Sequence, residues 1–163
     1  MARQPASGAT SLELRNAMES DAPALGIMRT AFWADQISKG AIDHPDIDAH
    51  QLLSDTRALV ARSRTKVILA TSRGATAGYA VGQTKIVPGA KGFAVGSIEE
   101  IYVQTSYRHS GVARRLVERI LDEFKTVGVE RIQLRALEKN EVAKSFWREL
   151  GFSPSVIIYE YSK

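Results

Sequence analysis

Residues 101–116, IYVQTSYRHSGVARRL, decide how this chain reads. Ile101-Tyr102-Val103 is a strand end, Gln104 to Gly111 is a short polar link, and the helix that follows begins almost at once. A helix that opens directly after a strand leaves several backbone N–H groups without intrahelical partners, and its dipole adds positive potential there. Gly111 and Ala113 are small enough to let an anion approach the main chain, and Arg108, Arg114 and Arg115 can add charge-assisted hydrogen bonds. Neither the GxxxxGK[ST] loop nor the GxGxxG fingerprint is present, so the two commonest nucleotide loops are excluded.

Working outward, the apolar residues Val112, Leu116, Val117, Ile120, Leu121 and Phe124 recur at helical spacing and predict an amphipathic helix from about residue 111 to 127, stopped by Gly128. Upstream, residues 66–71 (KVILAT) predict a buried strand, residues 72–74 a turn, and residues 76–87 a second strand with Gly78 and Gly82 inside it. A loop over 88–92 then leads to a third strand over 93–103. At the N-terminal side, Leu12 and Leu14 mark a short strand. Ser20-Asp21-Ala22-Pro23 opens a helix running to about Trp33, and a second helix is expected over residues 46–64. Downstream, residues 131–136 alternate as a strand, 141–150 form a helix ended by Gly151, and 156–161 predict a terminal strand.

The expected order β-α-α-β-β-β-α-β-α-β is an α/β (α+β) fold: a mixed, mostly antiparallel sheet flanked by helices, with one parallel crossover. The expected organisation is one domain over residues 11–163 after a flexible N-terminus, residues 1–10. The 163 residues allow roughly 68–70% of the unfolded surface to be buried. Composition, with 44% apolar and 25% charged residues, is that of an ordinary globular chain. The absence of cysteine removes disulfides, thiolate metal sites and a cysteine nucleophile. His44 and His50 have no third ligand in sequence reach, so no metal is expected. No apolar run is long enough to span a membrane, and a cytoplasmic location is the default. A net charge of +4 is too small to argue for nucleic acid.

The 101–116 stretch resembles the acetyl-CoA signature of the GCN5-related N-acetyltransferase (GNAT) family. Asn140, Ala143, Phe146 and Leu150-Gly151-Phe152 are similar to the second recurrent segment of that family. The resemblance implies an acetyl-CoA-dependent N-acetyltransferase that acts by direct transfer, with acetyl-CoA as co-substrate. It implies that the main chain of Ile101, Tyr102 and Val103 pairs with the pantetheine arm, that Arg108, His109, Ser110, Gly111, Val112, Ala113 and Arg114 hold the pyrophosphate, and that Asn140 hydrogen-bonds the arm. Trp147 stands where many members have a tyrosine that protonates the leaving thiolate, and an indole N–H cannot do this. Tyr102, Tyr159, Tyr161 and Ser145 are the other hydroxyl candidates.

Transfer to an amine needs a base, and Glu99 and Glu100 are the nominees. Simple alternation puts Glu99 on the face of Ile101 and Val103 and Glu100 on that of Ile98 and Tyr102, so that only one faces the pocket unless a bulge intervenes. The acids Asp43, Asp46 and Asp48 tilt the expected acceptor towards a small primary amine, polyamine or aminoglycoside-like cation. A protein or peptide amine is the alternative, and a non-catalytic acyl-CoA-binding regulatory module is the other class. Oligomeric state stays open, a homodimer included.

Overall fold

The computed structural model describes residues 11–40, 46–89, 92–159 and 161. Five strands, β1 (Leu12–Asn16), β2 (Thr65–Ser72), β3 (Ala75–Ile86), β4 (Ala94–Val103) and β5 (Arg131–Leu134), lie in the spatial order β1-β2-β3-β4-β5. The first three pairings are antiparallel and β4–β5 is parallel. Four α-helices accompany them: α1 (Ala22–Ser38), α2 (Ala49–Ala61), α3 (Val112–Thr126) and α4 (Glu141–Glu149).

The alternation of side chains across β2 and β3 separates two apolar layers. On one face, Ile68, Ala80 and Ile98 pack with Val112, Leu116, Val117, Ile120 and Phe124 of α3 and with Trp147 of α4. On the other, Val67, Leu69, Tyr79 and Val81 pack with Leu25, Met28 and Phe32 of α1. The parallel β4–β5 pair is reached through α3, as a crossover requires.

Gly82 and Gly96 let α3 lie close to the sheet. A Cβ built at either would come within 2.9 Å of the Phe124 ring. The two glycines thus leave room for an aromatic ring where side chains would hold the helix away.

Three features differ most from the sequence expectation. Helix α1 continues beyond Trp33 to Ser38, and α2 begins at Ala49 because Asp48 caps it, its carboxylate accepting the N–H groups of His50 (2.8 Å) and Gln51 (3.1 Å). The third is a correction. The terminal strand expected over residues 156–161 is absent among the described residues, where Val156 to Tyr159 are irregular and exposed. The flexible N-terminus expected over residues 1–10, and with it Asp43 and His44, lies outside the described residues.

Gly96→Val should lower unfolding stability by about 1–3 kcal/mol through overpacking. Combined with Phe124→Leu it should recover part of that loss, as read by urea unfolding; independent, additive effects of the two changes would show that the ring contact does not set the spacing.

Candidate functional site

The register of β4 changes at one residue. Ile98 lies opposite Gly82 and Glu100 opposite Val81, so Glu99 is an extra residue in a β-bulge. The bulge breaks the simple alternation expected through Glu99 and Glu100. Ile98 and Ile101 both pack on the α3 side, whereas Tyr102 packs on the α1 side with Tyr79. Glu100 therefore shares the face of Tyr102 but not of Ile98.

The same residue marks where β4 and β5 part. Their pairing runs only from Val95 opposite Arg131 to Ile98 opposite Leu134. Beyond it, β4 is bonded, among the described residues, to β3 alone. The Gln104 N–H donates to the Ala77 carbonyl at 2.9 Å, so residue pairs 104/77 and 102/79 exchange the ladder bonds with β3. The main-chain groups of Ile101 and Val103 consequently point to the open edge. One of them is already used: Arg108 Nε donates to the Val103 carbonyl at 3.1 Å, and the same guanidinium stands 5.8 Å from the Tyr102 ring centroid. The Arg108 side chain is thus tied to the strand end.

After the open edge, a 3-10 turn at Thr105–Tyr107 leads into the loop, where His109 (φ 60°) and Gly111 (φ 80°) both take the left-handed conformation. The hydroxyl of Ser110 donates back to the Tyr107 carbonyl, and the Arg108 N–H to the Thr105 carbonyl (3.3 Å). Two groups assigned to pyrophosphate binding are therefore engaged within the loop. Gly111 is the N-cap of α3 and has no side chain to cap it; the first ladder bond runs from Arg115 N–H to the Gly111 carbonyl at 3.1 Å. The N–H groups of Val112, Ala113 and Arg114 precede that ladder and point out of the helix start. Around it, Arg114 meets Glu149 at 3.6 Å on the exposed surface, Arg119 is held by Glu123 at 2.8 Å, and Arg115 forms no ion pair with a described residue. Asn140 caps α4, its side-chain oxygen accepting the Ala143 N–H at 3.1 Å, which leaves the amide NH2 as its free donor.

An open cleft of about 410 Å3 lies between α1 and the end of β4, lined by Ile27, Met28, Ala31, Tyr102, Gln104, Thr105 and Ser106. Beneath it runs a buried polar cluster that sequence reasoning missed. Arg29 on α1 grips Glu100 with two bonds, Nη2–Oε1 at 2.6 Å and Nε–Oε2 at 3.0 Å. The Tyr79 hydroxyl donates to Glu100 Oε2 at 2.8 Å. Arg29 Nη1 donates to Thr56 Oγ1 on α2, whose hydroxyl donates to the Leu52 carbonyl. Burial pulls the Arg29 pKa down, but the hydrogen bond and charge of Glu100 outweigh it and hold the guanidinium above its ordinary value. Burial first, and then the charge and hydrogen bond of Glu100, push the Tyr79 phenol well up, so it remains a neutral donor. The only sequence signal for this cluster was a polar residue, Arg29, among apolar positions of a core helix.

Glu99 is placed differently from Glu100. Gly96 points at Phe124, so Val95 and, across from it, Lys85 face away from α3. The Glu99 carboxylate lies 3.8 Å from Lys85 Nζ, and its side chain is 43% exposed. Trp147 is a core residue, edge-on to Phe146 and Phe152 with ring centroids 4.9 and 5.4 Å away. Of the four hydroxyl candidates, only Tyr102 lines the cleft. Ser145, Tyr159 and Tyr161 are exposed. Among the described residues no group of three or more His, Asp or Glu side chains is placed to hold a metal ion. Among the described residues, no helix is long and apolar enough to cross a membrane.

A mixed sheet that opens at a bulge beside the start of its crossover helix is an acetyltransferase fold. Aminoglycoside N-acetyltransferase AAC(6')-Iy, solved with CoA, superposes with a TM-score of 0.79 over 98% of this chain and 99% of that one, at 19% identity. Ribosomal-protein-alanine N-acetyltransferase from Brucella melitensis biovar Abortus 2308 gives 0.75 over 94% and 100%, at 15% identity. The chain belongs to the acetyltransferase (GNAT) family, whose sequence model matches residues 27–152. It is also 35% identical over 66 residues to N-alpha-acetyltransferase 30 of Schizosaccharomyces pombe, a match spanning 40% of this chain and 44% of that protein.

Arg29→Met should cost about 3–5 kcal/mol of stability, because it leaves the Glu100 carboxylate buried without its counter-ion. Tyr79→Phe should cost about 1–3 kcal/mol. An unfolded tyrosine ionises near pH ~10 while Tyr79 in the fold keeps its proton, so above that pH the unfolded chain holds fewer protons and stability falls as pH rises. Tyr79→Phe should remove its share of that alkaline slope, and an unchanged slope in unfolding measured from pH 8 to 11 would contradict the assignment.

Proposed function

We propose that this chain transfers the acetyl group of acetyl-CoA directly to a primary amine. The observation that carries the reading is the unpaired edge of Ile101 and Val103 standing next to the uncapped start of α3. An extended pantetheine arm can use that edge as a further strand would. The pyrophosphate then falls at the N–H groups of Val112, Ala113 and Arg114, where the helix dipole favours anions. Arg114 and Arg115 are the cations that can swing towards it, and His109, Ser110 and Gly111 shape the loop, while the Arg108 side chain braces the strand end. The free NH2 of Asn140 is the donor left for the arm.

Glu99 is the better of the two nominated bases. Glu100 already accepts three hydrogen bonds and is neutralised by Arg29, so it serves to position β4. The acceptor amine, once its proton has passed to Glu99 directly or through water, attacks the thioester carbonyl carbon. The C–N bond forms, the C–S bond breaks, and the thiolate leaves with a proton from Tyr102 or water. No covalent enzyme intermediate is needed.

The cleft also bears on the acceptor. Its described walls hold no carboxylate, and Asp48 is spent as a helix cap, so among the described residues the acidic attraction expected for a polycation reduces to Asp46 and Glu99. An α-amine on a peptide with an uncharged first side chain suits Ile27, Met28 and Ala31 better. The partial match to an N-alpha-acetyltransferase supports the same acceptor, while an aminoglycoside or polyamine is the second reading, supported by the fold shared with AAC(6')-Iy. A cytoplasmic site of action accords with either.

With acetyl-CoA and a panel of short peptides, polyamines and aminoglycosides, thiol release should be seen with peptides first; CoA binding without thiol release from any amine would instead indicate a regulatory acyl-CoA-binding module. Glu99→Gln should lower kcat by about 10²–10⁴-fold with little change in CoA affinity. Equal, negligible effects of Glu99→Gln and Glu100→Gln would remove both as the base. Gly111→Val forces a branched residue into the left-handed region, a strain of about 1–2 kcal/mol, and should weaken CoA binding by at least about tenfold in calorimetry.

A further inference from the structure

The open edge of β4 is bounded at both ends. On one side, β5 pairs with β4 as far as Ile98 opposite Leu134 and then departs, so the edge begins at the Glu99 bulge. On the other, its end is made by a single residue. Main-chain pairing repeats every two residues, and the two carbonyls that would prolong the edge are those of Val103 and Thr105. Arg108 occupies both: its Nε–H donates to the Val103 carbonyl at 3.1 Å and its main-chain N–H to the Thr105 carbonyl at 3.3 Å. What stays open between the bulge and Arg108 is the main chain of Ile101 and the N–H of Val103.

The Arg108 side chain is fixed at that end rather than aimed at an anion. Its guanidinium carbon lies 5.8 Å from the Tyr102 ring centroid, and among the described residues it meets no carboxylate. A cation over a ring contributes about 0.5–1 kcal/mol at an exposed site and holds the planar group flat. Swinging the side chain towards the start of α3 would release the Val103 carbonyl and forfeit the ring together. Arg115, which forms no ion pair with a described residue, has neither tie.

In the acetyl transfer proposed above, on which the inference rests, the pantetheine arm needs such a stop. Its β-alanyl-cysteamine stretch is unbranched, so no side chain fixes the register of its pairing with β4. The pyrophosphate anchors only the far end, across several freely turning single bonds. A slip by one pairing repeat is two residues, roughly 6.6 Å at about 3.3 Å per residue, whereas a misplacement of about 1 Å is enough to slow a positioned reaction by about 10²-fold. We propose that Arg108 is the positioning residue that sets the register of the pantetheine arm. By closing the Val103 and Thr105 carbonyls it leaves one productive alignment, with the thioester at the bulge beside Glu99. Its side chain acts on the arm through β4 and not on the phosphates.

Arg108→Lys separates the two roles. It keeps the positive charge but puts a methylene where the Nε–H stands, so the Val103 carbonyl is freed while a phosphate would still find a cation. Arg108→Met removes charge and donor together. Residue 108 is exposed, so both variants should keep the circular dichroism of the unsubstituted chain. Alignments that bind without reacting lower kcat and KM together. Both variants should therefore lower kcat and KM for acetyl-CoA by a similar factor, about two- to fivefold, while CoA affinity in calorimetry holds or rises and its salt dependence is unchanged. A phosphate ligand gives the opposite pattern: Arg108→Met would weaken CoA binding and flatten its salt dependence, and Arg108→Lys would restore both. That result, or a kcat and KM that move in neither variant, would overturn the proposal. An unsubstituted chain that binds no CoA at all would instead sink the acetyl-transfer reading, and the register stop with it.

Discussion

Strand β4 changes its surroundings at Glu99. Before it the main chain is hydrogen-bonded on both sides; after it, only towards β3. An unpaired main chain in the middle of a sheet is costly if buried and an aggregation template if exposed, so a fold keeps such an opening only where a ligand or a device fills it. Here the opening is braced rather than closed. Arg108 reaches back to the Val103 carbonyl and lies over Tyr102, which leaves Ile101 and the Val103 N–H as the groups a bound strand-like ligand would meet.

The buried Arg29–Glu100–Tyr79 cluster stands beside that bulge and ties β4 to its neighbours. Two ions taken out of water are expensive, and their attraction repays the cost only when the remaining hydrogen-bonding capacity is also used. In this case it is: two bonds from Arg29, one from Tyr79, and a link through Thr56 to the main chain of α2. The cluster joins α1, α2, β3 and β4 at one point. Both oxygens of Glu100 are engaged by Arg29 and Tyr79, so its carboxylate is committed to joining these elements.

The periodic parts of the molecule were plain in the sequence, because their signals are local. The six apolar positions of α3 and the KVILAT strand are found where periodicity puts them. The bulge was not readable, since alternation continues through it in letters, and only the paired register shows that Ile98 and Ile101 share a face. Asp48 was read as an acid that could draw a cationic acceptor because a short acidic side chain before a helix looks alike as cap or ligand, whereas Asn140 came from the family resemblance and caps α4 with its oxygen alone. The terminal run failed for a different reason. Its strand propensity is real, but a strand exists only with a neighbour, and no property of six residues specifies where that neighbour is.

The tryptophan at residue 147 can be understood from the same geometry. Its ring fills the junction of α4 with the main core, between Phe146 and Phe152, a place where a phenol would need a partner for its hydroxyl. Packing has therefore taken the position, and protonation of the thiolate has to be met elsewhere. The chemistry tolerates this. A thiol has an ordinary pKa of about 8.5, so the thiolate is the easier leaving group of the reaction and gains little from a strong acid. The amine, with a pKa near 8 at a peptide terminus, is the group that must lose a proton before it can attack. In the reaction proposed above, the greater demand therefore falls on the base, for which Glu99 is the nominee, and Tyr102 or water suffices for the thiolate.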